Sequence, residues 1–166
     1  ASCAQEAISF GEGGKCTIDR DRCVGCGRCI GVCNVDAIFL ADWSGTRDLN
    51  CKMAEYCKAV LDGRPHFHVS VVNQVSPYCD CHGENDAAVV PDIGMFASFD
   101  PVALDSACID AVNAAPAIST SILSEREHTH NDHFTNIHPR TDWRFQISHA
   151  EAIGLGTGHY ELVSVD

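Results

Sequence analysis

Cys23, Cys26, Cys29 and Cys33 stand in the stretch CVGCGRCIGVC at the spacing C-x2-C-x2-C-x3-C. Thiolates at these intervals on a tight loop can wrap one iron-sulfur cubane, and Gly25, Gly27 and Gly31 leave room for backbone amides to approach its sulfides. The chemistry expected is that of a 4Fe-4S cluster, which stores one electron. The alternative is zinc in a non-redox or structural module, but zinc sites present paired C-x2-C arms separated by a longer insert. Eleven cysteines in 166 residues, odd in number and locally crowded, do not read as a secreted disulfide framework. They point to metal or redox binding in a reducing compartment, so a cytoplasmic location is expected.

The setting of Cys33 occurs twice. Cys3 precedes Ala7-Ile8 by the interval at which Cys33 precedes Ala37-Ile38. The run resembles that of bacterial ferredoxins, and in two-cluster ferredoxins the fourth cysteine of each run ligates the other cluster. The resemblance implies that Cys3 is the fourth ligand of the cluster held by Cys23, Cys26 and Cys29. It assigns Cys33 to a second cluster of the intact chain, whose other cysteines would precede residue 1. The chain is then expected to start inside the first half of a ferredoxin-like repeat. Asn34 stands where the run normally carries Pro, which loosens the turn without removing a ligand. Cys16, between the two halves, is expected to be a small apolar residue of a short strand.

These cysteines need a scaffold, and the texture of the chain changes near residue 43. Residues 1–42 hold six of the eleven cysteines with many glycines and short apolar pieces, which predicts a small module organised by something other than an apolar core. Residues 43–166 predict part of an α/β domain. Leu49, Met53, Tyr56, Cys57, Val60 and Leu61 fall at helical spacing within Asp48 to Leu61, and Gly63 with Pro65 supplies a stop. Phe67 to Val75 is rich in β-branched residues and predicts a strand, with one or two more at Ala87 to Val90 and Ile93 to Ala97. Asp100-Pro101 opens a helix whose buried side carries Val102, Ala103, Leu104, Ala107, Cys108, Ala111 and Val112, ended by Pro116. Both helices are expected to lay their apolar faces on one sheet containing Val69, Val71 and Val75 or their alternating neighbours. Ser124 to Pro139 reads as a polar loop, Asp142 to Ile153 as a helix stopped by Gly154, and Tyr160 to Val165 as a last strand. The fold class is α/β or α+β, with a small ferredoxin-like module joined to it.

The second concentration of chemistry is SPYCDCHGENDAAVVPDIGMFASFDPVALDSAC. In an extended segment Cys79 and Cys81 point to one side, so this C-x-C beside His82, Asp80 and Asp86 could hold a metal or act as a reactive thiol pair, that is, a separate reductase site with Cys79, Cys81 and His82 as catalytic candidates. Buried cysteines fixing a loop are the bland counterpart. Cys79-Asp80-Cys81-His82, Asn85-Asp86, Val90-Pro91-Asp92-Ile93-Gly94, Ala97-Ser98 and Asp100-Pro101-Val102-Ala103 with Asp105 together resemble the family known as domain of unknown function 362. The resemblance implies iron-sulfur proteins in which a two-cluster ferredoxin-like insert joins an α/β domain, and it implies that a sizeable N-terminal portion precedes this chain. It brings no reaction. Asp100 reads as a helix cap and Asp105 as an exposed helix residue. His128, His130, His133 and His138 could form a transition-metal site, although histidines on a polar loop without fixed spacing are more often solvated. Gly154-Leu155-Gly156-Thr157-Gly158 follows a helix instead of opening one, so it is no nucleotide fingerprint.

A formal charge of −12 argues against nucleic-acid and anionic-membrane partners, which demand Lys and Arg opposite phosphates. No apolar stretch approaches the roughly 18–20 residues of a membrane span. A redox protein with a basic docking face is the expected partner.

Overall fold

The structure is a computed structural model of the chain that describes residues 3–35, 37–38, 45–79, 85–126 and 131–165, the side chains of residues 45 and 46 excepted. Helices and two small antiparallel sheets make a mixed α/β protein. It divides into two compact units, Ala1–Trp43 and Ser44–Asp166.

In the first unit, β1 (Ile8–Phe10) and β2 (Cys16–Ile18) pair antiparallel, with Ile8 opposite Ile18 and Phe10 opposite Cys16. The return is made at Gly13 and Gly14, both at left-handed φ, 75° and 74°, a conformation open to glycine at little cost. A single helical turn, α1 (Arg28–Gly31), follows. Ala7, 3% exposed, is the one buried residue among those described in this unit. Cys16 lies in the expected strand but is exposed. A two-stranded sheet with nothing described over either face has no interior in which to bury it.

The second unit contains α2 (Gly45–Leu61), β3 (His68–Val72), β4 (Gly94–Ser98), α3 (Pro101–Ala114), two short helices α4 (Ile122–Glu125) and α5 (His133–Ile137), and α6 (Arg144–Ala152). β3 and β4 pair antiparallel, His68 opposite Ser98 and Val72 opposite Gly94. The α3 helix packs on both strands and contributes to two apolar clusters, through Val112 and Val102. One gathers Val72, Val89, Val90, Val112, Leu123 and Ile137; the other gathers Ala54, Val102 and Ala150. The start of α3 is written in the sequence: Pro101 occupies the first turn and Asp100 Oδ1 accepts from the amides of Val102 at 2.8 Å and Ala103 at 3.1 Å, satisfying donors that a helix start leaves open.

Four expectations need correction. The α2 helix packs on α6, and its apolar stripe of Leu49, Met53, Tyr56 and Val60 is exposed. The packed side instead uses small Ala54 and polar ties, Asn50 Nδ2 to the Asp142 carbonyl at 2.8 Å and Lys58 Nζ to the Gly154 carbonyl at 3.2 Å. Of the two faces the expectation allowed on β3, the alternating neighbours His68, Ser70 and Val72 turn inward and Val69 and Val71 face out, which needs no correction. Ala87 to Val90 is not a strand; single bonds from the Val89 amide to the Val75 carbonyl and from the Ile118 amide to the Val89 carbonyl hold it in the core. The expected loop Ser124 to Pro139 contains α5, capped by Asp132, and Tyr160 to Val165 has no regular structure. Among the described residues no helix is long and apolar enough to cross a membrane.

Candidate iron-sulfur site and C-x-C loop

The cysteine run is placed by short-range backbone bonds. The Asp19 amide donates to the Ala7 carbonyl at 2.8 Å, and the Asp19 carbonyl accepts from the Cys23 amide at 3.0 Å, so the end of β2 sets the first cysteine. Gly25 and Gly27 then take left-handed φ of 69° and 72°, turning the chain twice within five residues. Gly27 begins α1, its carbonyl accepting from Ile30 at 3.0 Å and Gly31 at 3.2 Å. Cys29 rides on this turn, half-buried, and the Cys33 amide closes it onto the Ile30 carbonyl at 3.1 Å. Cys23 and Cys26 are exposed, Cys3 and Cys33 half-buried, and Cys3, Cys16, Cys23, Cys26 and Cys29 are unbridged thiols.

The twofold pattern of the sequence has a structural counterpart. The Ala7 amide donates to Cys3 Sγ at 3.4 Å, and the Ala37 amide donates to Cys33 Sγ at 3.2 Å. Amides aimed at sulfur favour the thiolate and tune clusters that thiolates hold. Soft sulfur donors, left-handed glycines and sulfur-directed amides fit an iron-sulfur cluster. Among the described residues no group of three or more His, Cys, Asp or Glu is set to hold a metal ion.

In the second unit Cys79 is exposed, whereas Asp80, Cys81 and His82 lie outside the described residues, as do His128 and His130. The base of the C-x-C loop is held by Asn85. Its Oδ1 accepts from the amides of Tyr78 and Asp86, each at 3.1 Å, and its Nδ2 donates to Ser76 Oγ at 3.0 Å and to the Tyr78 carbonyl at 2.9 Å. From the other side the His138 ring packs on Tyr78 with centroids 5.5 Å apart, and its Nε2 meets the Pro77 carbonyl. His133 Nε2 bonds the Ala115 carbonyl at 2.9 Å. These two histidines therefore brace backbone. Asn85 stands in the Asn85-Asp86 pair of the sequence, but the clamp spans a loop and has no local spacing signature.

Other ionisable groups are quieter. Burial pushes the Cys57 and Cys108 thiols up, aided by the charge of Asp105 and, for Cys108, opposed by a bond with Ser70; raised thiols are poor nucleophiles. Asp105 keeps an exposed edge, but desolvation raises its carboxyl against the bond from Gln146 Nε2 at 3.3 Å and the charge of His68. The glycine-rich segment closes on the start of α3: the Thr157 amide donates to Asp100 Oδ2 at 2.9 Å, and a Cβ on Gly156 would collide with the Asp100 carboxylate. It is a structural clasp. Two cavities of the second unit, one polar beside Asp132 and Arg144 at about 610 Å³ and one largely apolar along β4, α3 and the C-terminal segment at about 800 Å³, include neither Cys79 nor Asn85 among their lining residues.

Residues 12–110, more than half of the chain, match the family described as Domain of unknown function (DUF362). The chain belongs to this family. No curated protein and no solved structure matches it significantly. The DUF362 match covers the cysteine run, the C-x-C loop, the Asn85 clamp and most of α3.

Proposed function

We propose that the chain is an iron-sulfur redox protein that passes single electrons between a donor and an acceptor protein. The first unit is the electron-carrying part, with Cys23, Cys26, Cys29 and Cys3 as ligands of a 4Fe-4S cluster and Cys33 as a ligand of a second cluster. The observation that carries the reading is the mismatch between this unit's size and its core. About 40 residues is where a polypeptide needs a metal, a bridge or a partner to fold, and a single alanine is the buried residue among those described. The cysteine run supplies the donors for such a staple, and metal binding and folding are coupled in modules of this kind. When bound, a cluster would supply reversible uptake of one electron, with no atom or proton transferred. The chain's own contribution is to hold sulfur: Gly25 and Gly27 turn the loop, α1 carries Cys29, and the Ala7 and Ala37 amides face Cys3 and Cys33. The partner we propose has a basic face. Unit 2 holds seventeen acidic and seven basic residues against six and four in unit 1, and such a field steers association.

The test is substitution. Cys26→Ser is expected to abolish the broad visible absorption of anaerobically purified protein and most of its iron. Cys16→Ser, which alters an exposed strand cysteine outside the ligand set, should leave both intact. Colourless wild-type protein carrying zinc would overturn the reading in favour of a non-redox module.

A further inference from the structure

Among the described residues two other than glycine adopt left-handed backbone, Glu6 at φ 48° and Gln74 at φ 46°. An L side chain is disfavoured there, and such outliers persist where the surroundings over-determine them. Gln74 has a local cause, since its amide donates to Asp92 Oδ1 at 2.8 Å. The Glu6 side chain offers none of that strength: its carboxylate meets Arg22 at 3.4 Å with both side chains largely exposed. Its backbone does. The Glu6 amide closes a turn onto the Cys3 carbonyl at 3.2 Å, and the next amide, that of buried Ala7, then reaches Cys3 Sγ at 3.4 Å.

We propose that Glu6 is a positioning residue whose left-handed backbone aims the Ala7 amide at the Cys3 sulfur, holding that ligand in place and raising the reduction potential of the cluster it joins. This rests on the cluster reading above. A donor on a ligand sulfur stabilises the reduced, more negative cluster, so its removal lowers the potential. Asp36 occupies the matching sequence position before Ala37-Ile38 and lies outside the described residues.

Glu6→Gly, Glu6→Gln, Glu6→Ala, Glu6→Thr and Glu6→Val in the whole chain, purified without oxygen, separate backbone from side chain. Glycine favours the left-handed conformation, alanine and glutamine meet it with the same Cβ as glutamate, and β-branched threonine and valine resist it. Redox titration followed by electron paramagnetic resonance should place Glu6→Gly, Glu6→Gln and Glu6→Ala at the wild-type potential. Glu6→Val and Glu6→Thr should fall below it and lose one iron on mild oxidation, giving a three-iron signal. Glu6→Thr decides the matter if the valine variant retains no cluster. A wild-type potential and iron retention in both Val and Thr variants, or a shift in Glu6→Gln or Glu6→Ala as large as in Glu6→Val, would overturn the proposal while leaving the cluster reading intact. Wild-type protein without acid-labile sulfide would overturn the cluster reading, and this proposal with it, before any variant is compared.

Discussion

A single carboxylate, Asp132, ties α5 to the start of α6. It is 3% exposed, caps α5 through the amides of Phe134 and Thr135, and accepts from Trp143 Nε1 at 2.9 Å and Arg144 Nη2 at 2.8 Å. Burial pushes its carboxyl up, but the bonds from Trp143, Thr135 and Arg144 outweigh that and hold it below the ordinary carboxylate value. A depressed folded-state pKa contributes stability that is present above the unfolded value, near 3.9, and lost as pH falls through the folded one. Thermal melts should therefore show an acid limb below about pH 4 that Asp132→Asn flattens. Asp132→Ala should cost about 2 kcal/mol at neutral pH, about 1 for the cap and about 1 for the stranded indole N–H, since half-exposed Arg144 adds little. Asn85 works the same way at the C-x-C loop. Asn85→Ala should raise the rate of Cys79 alkylation severalfold, measured against Cys16 in the same chain, if the clamp restrains that loop. None of these hubs could be read from spacing. Asp132 caps a helix in a stretch that looks polar throughout, and its partners stand up to twelve residues away. The cysteine run was legible because adjacent ligands must share one short loop, so its geometry is written into its intervals.

At the scale of elements, the contrast between α2 and α3 shows what sequence patterns convey. The α3 helix is capped, started and ended by Asp100, Pro101 and Pro116, and its apolar side faces β3 and β4 as its periodicity implies. The α2 helix was equally periodic, yet hydrophobicity alone pointed to the wrong face, because its docking on α6 depends on a close approach at Ala54 and Ala150 and on polar ties such as Glu55 to His149 at 3.1 Å. A small-residue contact leaves almost no signature in hydropathy. The final segment alternates like a strand, but it is fastened by Tyr160 Oη to Asp110 at 2.7 Å instead of by a ladder. The Gly154–Gly158 clasp supplies the sharpest element-level test. Gly156→Ala places a methyl against the Asp100 carboxylate and should destabilise by about 2 kcal/mol through forced backbone shifts. Asp100→Asn keeps an oxygen for the α3 cap but sets an NH2 against the Thr157 amide, and should cost about 1 kcal/mol. Denaturant midpoints of the two variants should differ accordingly, and equal losses would mean that the glycine is not held by that approach.

At the scale of the whole molecule, the two units have different sources of order. The second unit closes apolar clusters around α3, whereas the first has strands, turns and a cysteine run with little to bury. On the proposed reading, iron and sulfide supply what the first unit lacks. The most direct measurement is iron and acid-labile sulfide per chain in protein purified without oxygen, with the electron paramagnetic resonance spectrum after reduction. Iron and sulfide in equal amounts, with a spectrum of a reduced cluster that disappears in Cys26→Ser, is the expected result. Zinc in place of iron, or a well-folded first unit containing no metal or sulfide, would contradict it.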